Sequence, residues 1–280
     1  MTPEGLGETR SAHGLHLNGA TIMTTPTADH IAIARRTGYA GVEVRAERLL
    51  NAPEELAGAA SIVRPGEIWS LNGIQVKLGT DGRLRRDLLD EELAPRIDVC
   101  RALGARYLLV VPPRAAGLPV AGAVRGMQAG LSIIRDQTAV AGIGVAFEFL
   151  GFDDCPIDSP SLAAEVVDGV QGVDLVIDSC HWHASGSQPL GTFPVERLRM
   201  VHLNDAPAKS PREIEDADRL LPGLGVIRLA DLIRQLRAAA YDGPWSLETF
   251  NPGYWTRDPE TVAREGRLRT ERVLGVTVGG

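Results

Sequence analysis

Three carboxylates and one imidazole recur through the second half of the chain. Glu148, Asp178, His202 and Glu248 each close a short apolar run, at intervals of 30, 24 and 46 residues. They make an oxygen-rich donor set that suits Mn²⁺, Mg²⁺ or Co²⁺, and that Zn²⁺ also accepts. Three carboxylates brought together repel one another unless a cation neutralises them. The residues therefore predict one divalent metal ion, provided that the fold brings them to one point.

Each donor also has a simpler interpretation. A carboxylate at a strand end often only caps a helix or forms an ion pair. A histidine in an apolar strand such as 198–204 is more often a hydrogen-bonded core residue than a metal ligand. The occurrence of all four at the ends of successive predicted strands favours the metal site.

Short apolar runs alternate with longer amphipathic stretches along the chain. Several runs are apolar at consecutive positions, as in parallel strands that are covered on both faces. The predicted strands are 15–19, 40–45, 68–73, 106–111, 143–149, 173–178, 198–204 and 244–249. Helical stretches between them include 27–37, 89–103, 119–140, 160–169 and 228–240. In the last of these, apolar residues recur with the spacing of a helix packed on a sheet.

Eight strand–helix repeats without a second core predict an α/β fold, a single (β/α)8 TIM barrel over residues 14–280. A doubly wound sheet is the alternative, although no glycine-rich phosphate turn follows 15–19. Segment 205–227 is interpreted as a loop inserted above the barrel. Residues 1–13 lack the basic start and apolar centre of a signal peptide and are predicted to be a flexible leader.

Charge and cysteine content exclude some partners. With 29 basic and 36 acidic residues the net charge is −7, so a nucleic acid would meet mostly repulsion. No stretch approaches the roughly 20 apolar residues of a membrane span. Cys100, Cys155 and Cys180 lack CxxC spacing and are interpreted as free thiols in a reducing compartment. We expect a cytoplasmic protein with no nucleic-acid or membrane partner, and the sequence leaves homo-oligomerisation open.

Other polar residues follow the predicted strands closely enough to meet a substrate. His181 lies three residues after Asp178, within reach of a substrate hydroxyl. Arg219 precedes a Pro-Gly turn and is a candidate donor to substrate oxygens, with a surface ion pair as its alternative. Trp255, after the last strand, is a candidate for the roof of the pocket.

Seven motifs resemble the xylose-isomerase-like sugar phosphate isomerase/epimerase superfamily, and within it the 2-keto-myo-inositol (inosose) isomerases. The resemblance spans residues 15–275. The motifs are VEVR at 42–45, SLN at 70–72, VVP at 110–112, FEFLG at 147–151, IDSCHWHASGS at 177–187, DRLLPGLG at 218–225 and SLETFNPGYW at 246–255.

The resemblance implies a role for each matching position. It implies that the four strand-end donors bind the metal and that Asp205 supports them. It also implies that His181 and Arg219 contact the substrate. Arg45 and Asn72, which close the motifs at 42–45 and 70–72, are further candidate substrate-binding residues, together with Trp255. Departures at 206–217 fall in the inserted loop and concern the substrate more than the chemistry.

The expected activity is isomerisation or epimerisation of a polyhydroxy ketone, a keto-cyclitol or keto sugar. It would run through an enediolate whose charge the divalent ion stabilises, with Glu148 and Glu248 as base and acid. A ketose 3-epimerase, a hydroxypyruvate isomerase or a dehydratase of a cyclic keto acid would use much the same residues. An apurinic-site endonuclease would need more ligands and a basic groove. A non-enzymatic binding module is the remaining alternative.

Overall fold

Eight parallel strands pair in chain order, and β1 pairs with β8 to close a barrel. This computed structural model describes residues 14–275, so the predicted leader 1–13 lies outside the described residues. The strands are β1 Leu15–Asn18, β2 Gly41–Arg45, β3 Ile68–Gln75, β4 Tyr107–Val111, β5 Gly144–Glu148, β6 Val173–Asp178, β7 Leu198–Leu203 and β8 Trp245–Leu247. The predicted (β/α)8 barrel is confirmed, and the doubly wound alternative is wrong.

Helices cover the outside of the barrel and fill some of the loops above it. They are α1 Thr27–Thr37, α2 Ala46–Leu50, α3 Pro53–Ile62, α4 Arg86–Leu103, α5 Val120–Ala139, α6 Pro160–Asp168, α7 Ser179–Ala184, α8 Leu229–Ala238, α9 Pro252–Trp255 and α10 Pro259–Val273. Short 3-10 turns lie at Gly19–Ile22, Val195–Arg197, Pro211–Glu213 and Asp216–Asp218. Helices α1 and α4 end at Gly38 and Gly104, whose φ angles of 80° and 64° are ones that glycine adopts without strain.

Two local expectations needed correction at the C-terminal face. β8 ends at Leu247, so Glu248 is the first residue after the strand rather than its last. The stretch after Asp178, for which the sequence predicted no helix, forms helix α7, and the Asp178 side chain accepts from the backbone N–H of His181 to cap it. That capping bond holds the start of α7 against the end of β6.

The barrel interior is apolar in its middle and polar at its top. Ala146, Val176 and Met200 pack with Trp69 and Leu109 in one buried cluster. Two residues further along β5, β6 and β7 lie Glu148, Asp178 and His202. Because side chains two apart in a strand share a face, an apolar layer supports the polar layer directly above it.

Candidate metal centre and substrate cavity

Four buried side chains meet at the C-terminal ends of β5 to β8. Glu148, Asp178, His202 and Glu248 each offer one ligand atom, and these atoms all lie within 4.8 Å of one another. Asp178 and His202 are register partners on neighbouring strands, so they stand at the same height in the barrel. The four donors proposed from the sequence are therefore brought together.

His202 is oriented by contacts at both ring nitrogens. Its Nδ1 lies 2.9 Å from Oε1 of Glu148 and 3.3 Å from Oε2 of Glu248. Its Nε2 lies 3.2 Å from the carboxylate of Glu43, deeper in the barrel. Nδ1 is therefore the nitrogen that faces the other donors.

Hydrogen bonds hold Asp178 and Glu248 on several sides. Asn204 Nδ2 donates to Oδ2 of Asp178 at 2.6 Å, and Arg219 Nη1 donates to the same oxygen at 3.2 Å. Arg219 Nη1 also donates to Oε2 of Glu248 at 3.0 Å, and Asn18 Nδ2 donates to its Oε1 at 2.9 Å. Glu148 has one hydrogen-bond partner in the described part of the chain, Nδ1 of His202. The two glutamates thus have different surroundings.

The crowded charges shift the pKa values of the centre in both directions. Burial alone would raise the pKa of Glu248, but the charge of His202 outweighs it and lowers that pKa, whereas the pKa values of Glu148 and His202 rise. Burial raises the pKa of Glu148 to about 7, and repulsion from Glu248 and Asp178 adds to the rise while His202 opposes it. Burial alone would lower the pKa of His202, but Glu248, Glu43 and Glu148 outweigh it and raise that pKa well above its usual value. Negative charge dominates the centre.

The donor set fits a divalent cation. Atoms that bind one ion at about 2.0–2.2 Å lie at most about 4.4 Å apart, so a small contraction of the observed cluster suffices. Four residues with carboxylates here are at most 4% exposed, namely Glu43, Glu148, Asp178 and Glu248. Among the described residues one arginine, Arg219, is fully buried, and its guanidinium pairs with two of them, Asp178 and Glu248. A cation that neutralises this excess would relieve the repulsion.

A cavity of about 320 Å³ opens above the centre. Glu148 and Glu248 form part of its floor, and Leu109, Leu150, Phe152 and Phe250 supply apolar walls. The volume lies at the lower end of the range for small-molecule sites, roughly 300–1,000 Å³. The cavity is therefore sized for a compact ligand.

His181 and Arg219, both predicted to contact the substrate, line this cavity in direct contact with each other. The alternative for Arg219, a surface ion pair with Asp216 or Asp218, is right about the partner Asp216 and wrong about the surface, because Arg219 is 1% exposed. It pairs with Asp216 at 2.8 Å, from inside the protein. Burial and the charge of Arg219 lower the pKa of His181 well below its usual value, which keeps the imidazole neutral.

The remaining predicted contacts divide into two groups. Arg45 and Asn72 line the cavity. Trp255 lies outside its lining, and its indole N–H donates to the carbonyl of Ala20 at 2.8 Å, so its position does not support a substrate role. Asp205 accepts backbone N–H groups of the inserted loop, among them those of Gly223 and Gly225, and so shapes that loop rather than supporting the donors.

Glu43 is the residue that sequence reasoning missed. It lies in the middle of β2, is 1% exposed and contacts His202. A glutamate between valines in an apolar strand was the available signal, because a charge is rarely buried without a partner. VEVR served only as a family motif.

Two further expectations concern the whole chain. Cys100, Cys155 and Cys180 are buried free thiols, as predicted. In the described residues, every helix is too short or too polar to cross a membrane.

A closed (β/α)8 barrel with buried carboxylates and a histidine at its strand ends defines a class of TIM-barrel protein with a candidate metal centre at the C-terminal face of the barrel. The chain belongs to the xylose isomerase-like TIM barrel family, whose model matches residues 31–272. The family resemblance of the sequence motifs is thereby confirmed.

Two relatives and one solved structure are similar to this chain over most of its length or a large part of it. Inosose isomerase from Bacillus velezensis is 26% identical over 266 residues, covering 91% of this chain and 94% of that protein. 3-Dehydroshikimate dehydratase from Pseudomonas aeruginosa is 28% identical over 193 residues, covering 66% of this chain and 29% of that protein. The structure of the IOLI protein with a binding zinc atom matches with a TM-score of 0.86 at 23% identity, covering 95% of this chain and 100% of that one.

Proposed function

We propose that this chain is a divalent-metal-dependent isomerase or epimerase of a polyhydroxy ketone, and that an inosose is its substrate. The chain is an enzyme of the isomerase/epimerase type, and its similarity to inosose isomerase covers nearly all of both proteins. One observation carries the proposal. Four buried residues that could bind a metal lie together beside a compact cavity, and that cavity is lined by several side chains that can donate hydrogen bonds.

Unsatisfied donors around the cavity favour an oxygen-rich ligand. In the described part of the chain, no partner is found for Nε of Arg45, Nδ2 of Asn72, Nδ1 of His181 or Nε of Arg219. All four residues line the cavity. Buried polar groups normally find partners, and the hydroxyl and carbonyl oxygens of a polyhydroxy ketone would supply acceptors.

The charge balance of the cavity favours a neutral substrate. Three arginines line the described cavity, and each is already paired with a carboxylate. Arg45 pairs with Glu47 at 3.0 Å, Arg114 with Glu215 at 2.6 Å, and Arg219 with Glu248 at 3.0 Å. A carboxylate or phosphate on the substrate would compete with these partners. This balance supports a neutral keto-cyclitol over a cyclic keto acid.

The chemistry follows from how the two glutamates are held. A bound divalent ion supplies Lewis-acid stabilisation of the negative charge that develops on substrate oxygens. Glu248 is fixed by Arg219 and Asn18, whereas Glu148 borders the cavity with a single hydrogen bond. We therefore assign removal of the α-proton to Glu148, and return of a proton to the neighbouring carbon to Glu148 or Glu248. His181 donates from Nδ1 to a substrate oxygen.

Proton exchange measured by NMR tests this function. Metal-stripped protein is reconstituted separately with Zn²⁺, Mg²⁺, Mn²⁺ and Co²⁺ and given 2-keto-myo-inositol in D₂O, and the product is analysed after the ion is removed. We expect metal-dependent deuterium entry next to the carbonyl and a rearranged ketone. Absence of exchange with every metal would exclude inosose as the substrate.

Assays with other substrates distinguish the alternative reactions. Loss of water from a cyclic keto acid would identify a dehydratase instead, and inversion at carbon 3 of a ketose would identify an epimerase. Cleavage of abasic duplex DNA would identify an endonuclease.

A further inference from the structure

Glu43 is buried beside His202, one of the four proposed metal donors, and is not itself one of the four. Both of its carboxylate oxygens are 3.2 Å from Nε2 of His202, on the side of the ring opposite Glu148. The side chain is 1% exposed and does not border the cavity. Glu43 therefore acts on the centre only through its neighbours.

Two buried neighbours, each of which also contacts another residue, hold the Glu43 carboxylate. Ser70 Oγ donates to its Oε2 at 2.7 Å, and Asn18 Nδ2 donates to its Oε1 at 3.2 Å. The same Asn18 nitrogen donates to Oε1 of Glu248 at 2.9 Å, which links Glu43 to a second predicted ligand. Since both neighbours donate, the carboxylate is set up as an acceptor for the ring N–H of His202.

The contacts at the two ring nitrogens determine where the proton of the His202 imidazole lies. A cation at Nδ1 requires the lone pair of that nitrogen, so the ring keeps a single proton, on Nε2. Glu43 is the acceptor for that proton. We propose that Glu43 is a positioning residue that fixes the ring orientation and tautomer of His202, so that Nδ1 is presented to the divalent ion.

The inference rests on the proposed metal centre, and its test needs no substrate. Glu43→Gln keeps the shape of the side chain but replaces one acceptor oxygen with an N–H donor. Removing a partner behind a metal ligand typically weakens metal binding by about 10–100-fold. We expect a loss of this size in Zn²⁺ affinity, measured by chelator competition. ¹⁵N NMR of labelled histidine should show a metal-bound Nδ1 and a protonated Nε2 for His202 in the Zn²⁺-loaded native protein, and altered shifts in the variant.

The matched control is Asp174→Asn. Asp174 is also a strand carboxylate with an ion-pair partner, Arg199 at 3.0 Å, but it does not contact the centre. We expect this variant to keep native Zn²⁺ affinity and native His202 shifts. Ser70→Ala, which removes one donor to Glu43, should weaken Zn²⁺ binding severalfold and serves as the test if Glu43→Gln does not fold.

The outcomes separate the two proposals. Zn²⁺ affinity within twofold of native in folded Glu43→Gln or Ser70→Ala, with unchanged His202 shifts, would overturn the positioning role alone. Failure of the native protein to bind any divalent ion would overturn both the positioning role and the metal-dependent function.

Discussion

Nη2 of Arg219 lies 2.9 Å from Nε2 of His181. A guanidinium can only donate, so Nε2 of His181 must accept and the ring proton must reside on Nδ1. The arginine thus decides which nitrogen of His181 can donate to a substrate oxygen, while its Nη1 holds Asp178 and Glu248. One buried side chain organises both the donor set and the substrate contact.

Arg219→Lys should expose this dual role. Lysine keeps the charge but loses the planar fork that reaches four partners at once, Asp178, Glu248, His181 and Asp216. We expect kcat/KM for deuterium exchange to fall by about 100-fold or more, because a buried charged network loses several hydrogen bonds. Arg212→Lys, on the same inserted loop and paired with Asp158 at 2.8 Å, is the control and should remain close to native. Native kcat/KM in Arg219→Lys would contradict the assignment.

Glu148→Gln tests the assigned base. The amide preserves the size of the side chain but cannot take up the α-proton, and proton transfer by a positioned group is worth about 10²–10⁴-fold. We expect turnover to fall by that factor at saturating metal, with a native circular dichroism spectrum. The exposed Glu165→Gln on α6 controls for loss of one charge. Turnover within a few-fold of native would remove Glu148 from proton transfer.

Sequence alone predicted the architecture and the donors because both follow local rules. Apolar runs mark buried strands, and the ends of parallel barrel strands share one face, so Glu148, Asp178 and His202 could be placed before any coordinates. The end of β8 was less certain because that strand is only three residues long, Trp245–Leu247. The ends of so short a strand depend on its pairing with both neighbouring strands rather than on the strand propensity of its residues.

Contacts set by long-range geometry could not be read from the sequence. Glu43 and His202 are 159 residues apart in the sequence, and no local pattern shows that the Glu43 carboxylate on β2 contacts His202 on β7. The position of the Trp255 indole depends on its hydrogen bond to the carbonyl of Ala20, which is 235 residues away in the sequence. The family resemblance implied that Asp205 supports the metal donors, but Asp205 lies between β7 and the inserted loop and accepts N–H groups of that loop.

Metal removal should destabilise the fold through Asp178 and its neighbours. Stripping the ion leaves the carboxylates repelling one another, and rebinding stabilises the native state by about 2.7 kcal/mol at 100 times Kd. For a protein of this size we expect a rise in Tm of about 5–10 °C on adding Zn²⁺ to stripped protein. Differential scanning fluorimetry provides the measurement. Asp178→Asn should lose most of this rise, and an equal rise in that variant would show that the ion binds elsewhere.

Glu47 should tune the preference for neutral substrates. Glu47 pairs with Arg45 at 3.0 Å at the rim of the cavity, so Glu47→Gln frees the guanidinium for another anion. We expect the variant to improve the binding of cyclic keto acids severalfold relative to neutral keto-cyclitols, measured as inhibition constants at low salt. The gain should shrink at high salt because the pair is partly exposed. An unchanged ratio would mean that Arg45 does not govern substrate charge.

Glu55 should make stability depend on acid pH, away from the catalytic face. Its carboxylate accepts from Arg48 Nε and Nη2, each at 2.9 Å, and from Thr27 N at 2.9 Å, which joins the start of α1 to α2 and α3. Partial burial alone would raise the pKa of Glu55, but the bonds from Arg48 and Thr27 outweigh it and lower the pKa from 4.5 to about 2. The stabilisation is therefore complete above about pH 4.5 and is lost as the pH falls towards 2.

Glu55→Gln should lower the free energy of unfolding by about 1–3 kcal/mol at pH 7, the range for hydrogen bonds to a charged group. The difference from native should shrink to about half or less by pH 3, because the carboxylate of the unfolded chain is then protonated while the native carboxylate, with its pKa of about 2, is still ionised. Urea unfolding at pH 7, 5, 4 and 3 measures this, with the exposed neighbour Glu54→Gln as a control that should show little effect at any pH. A difference that stays constant down to pH 3 would show that packing, rather than the ionised carboxylate, joins these helices.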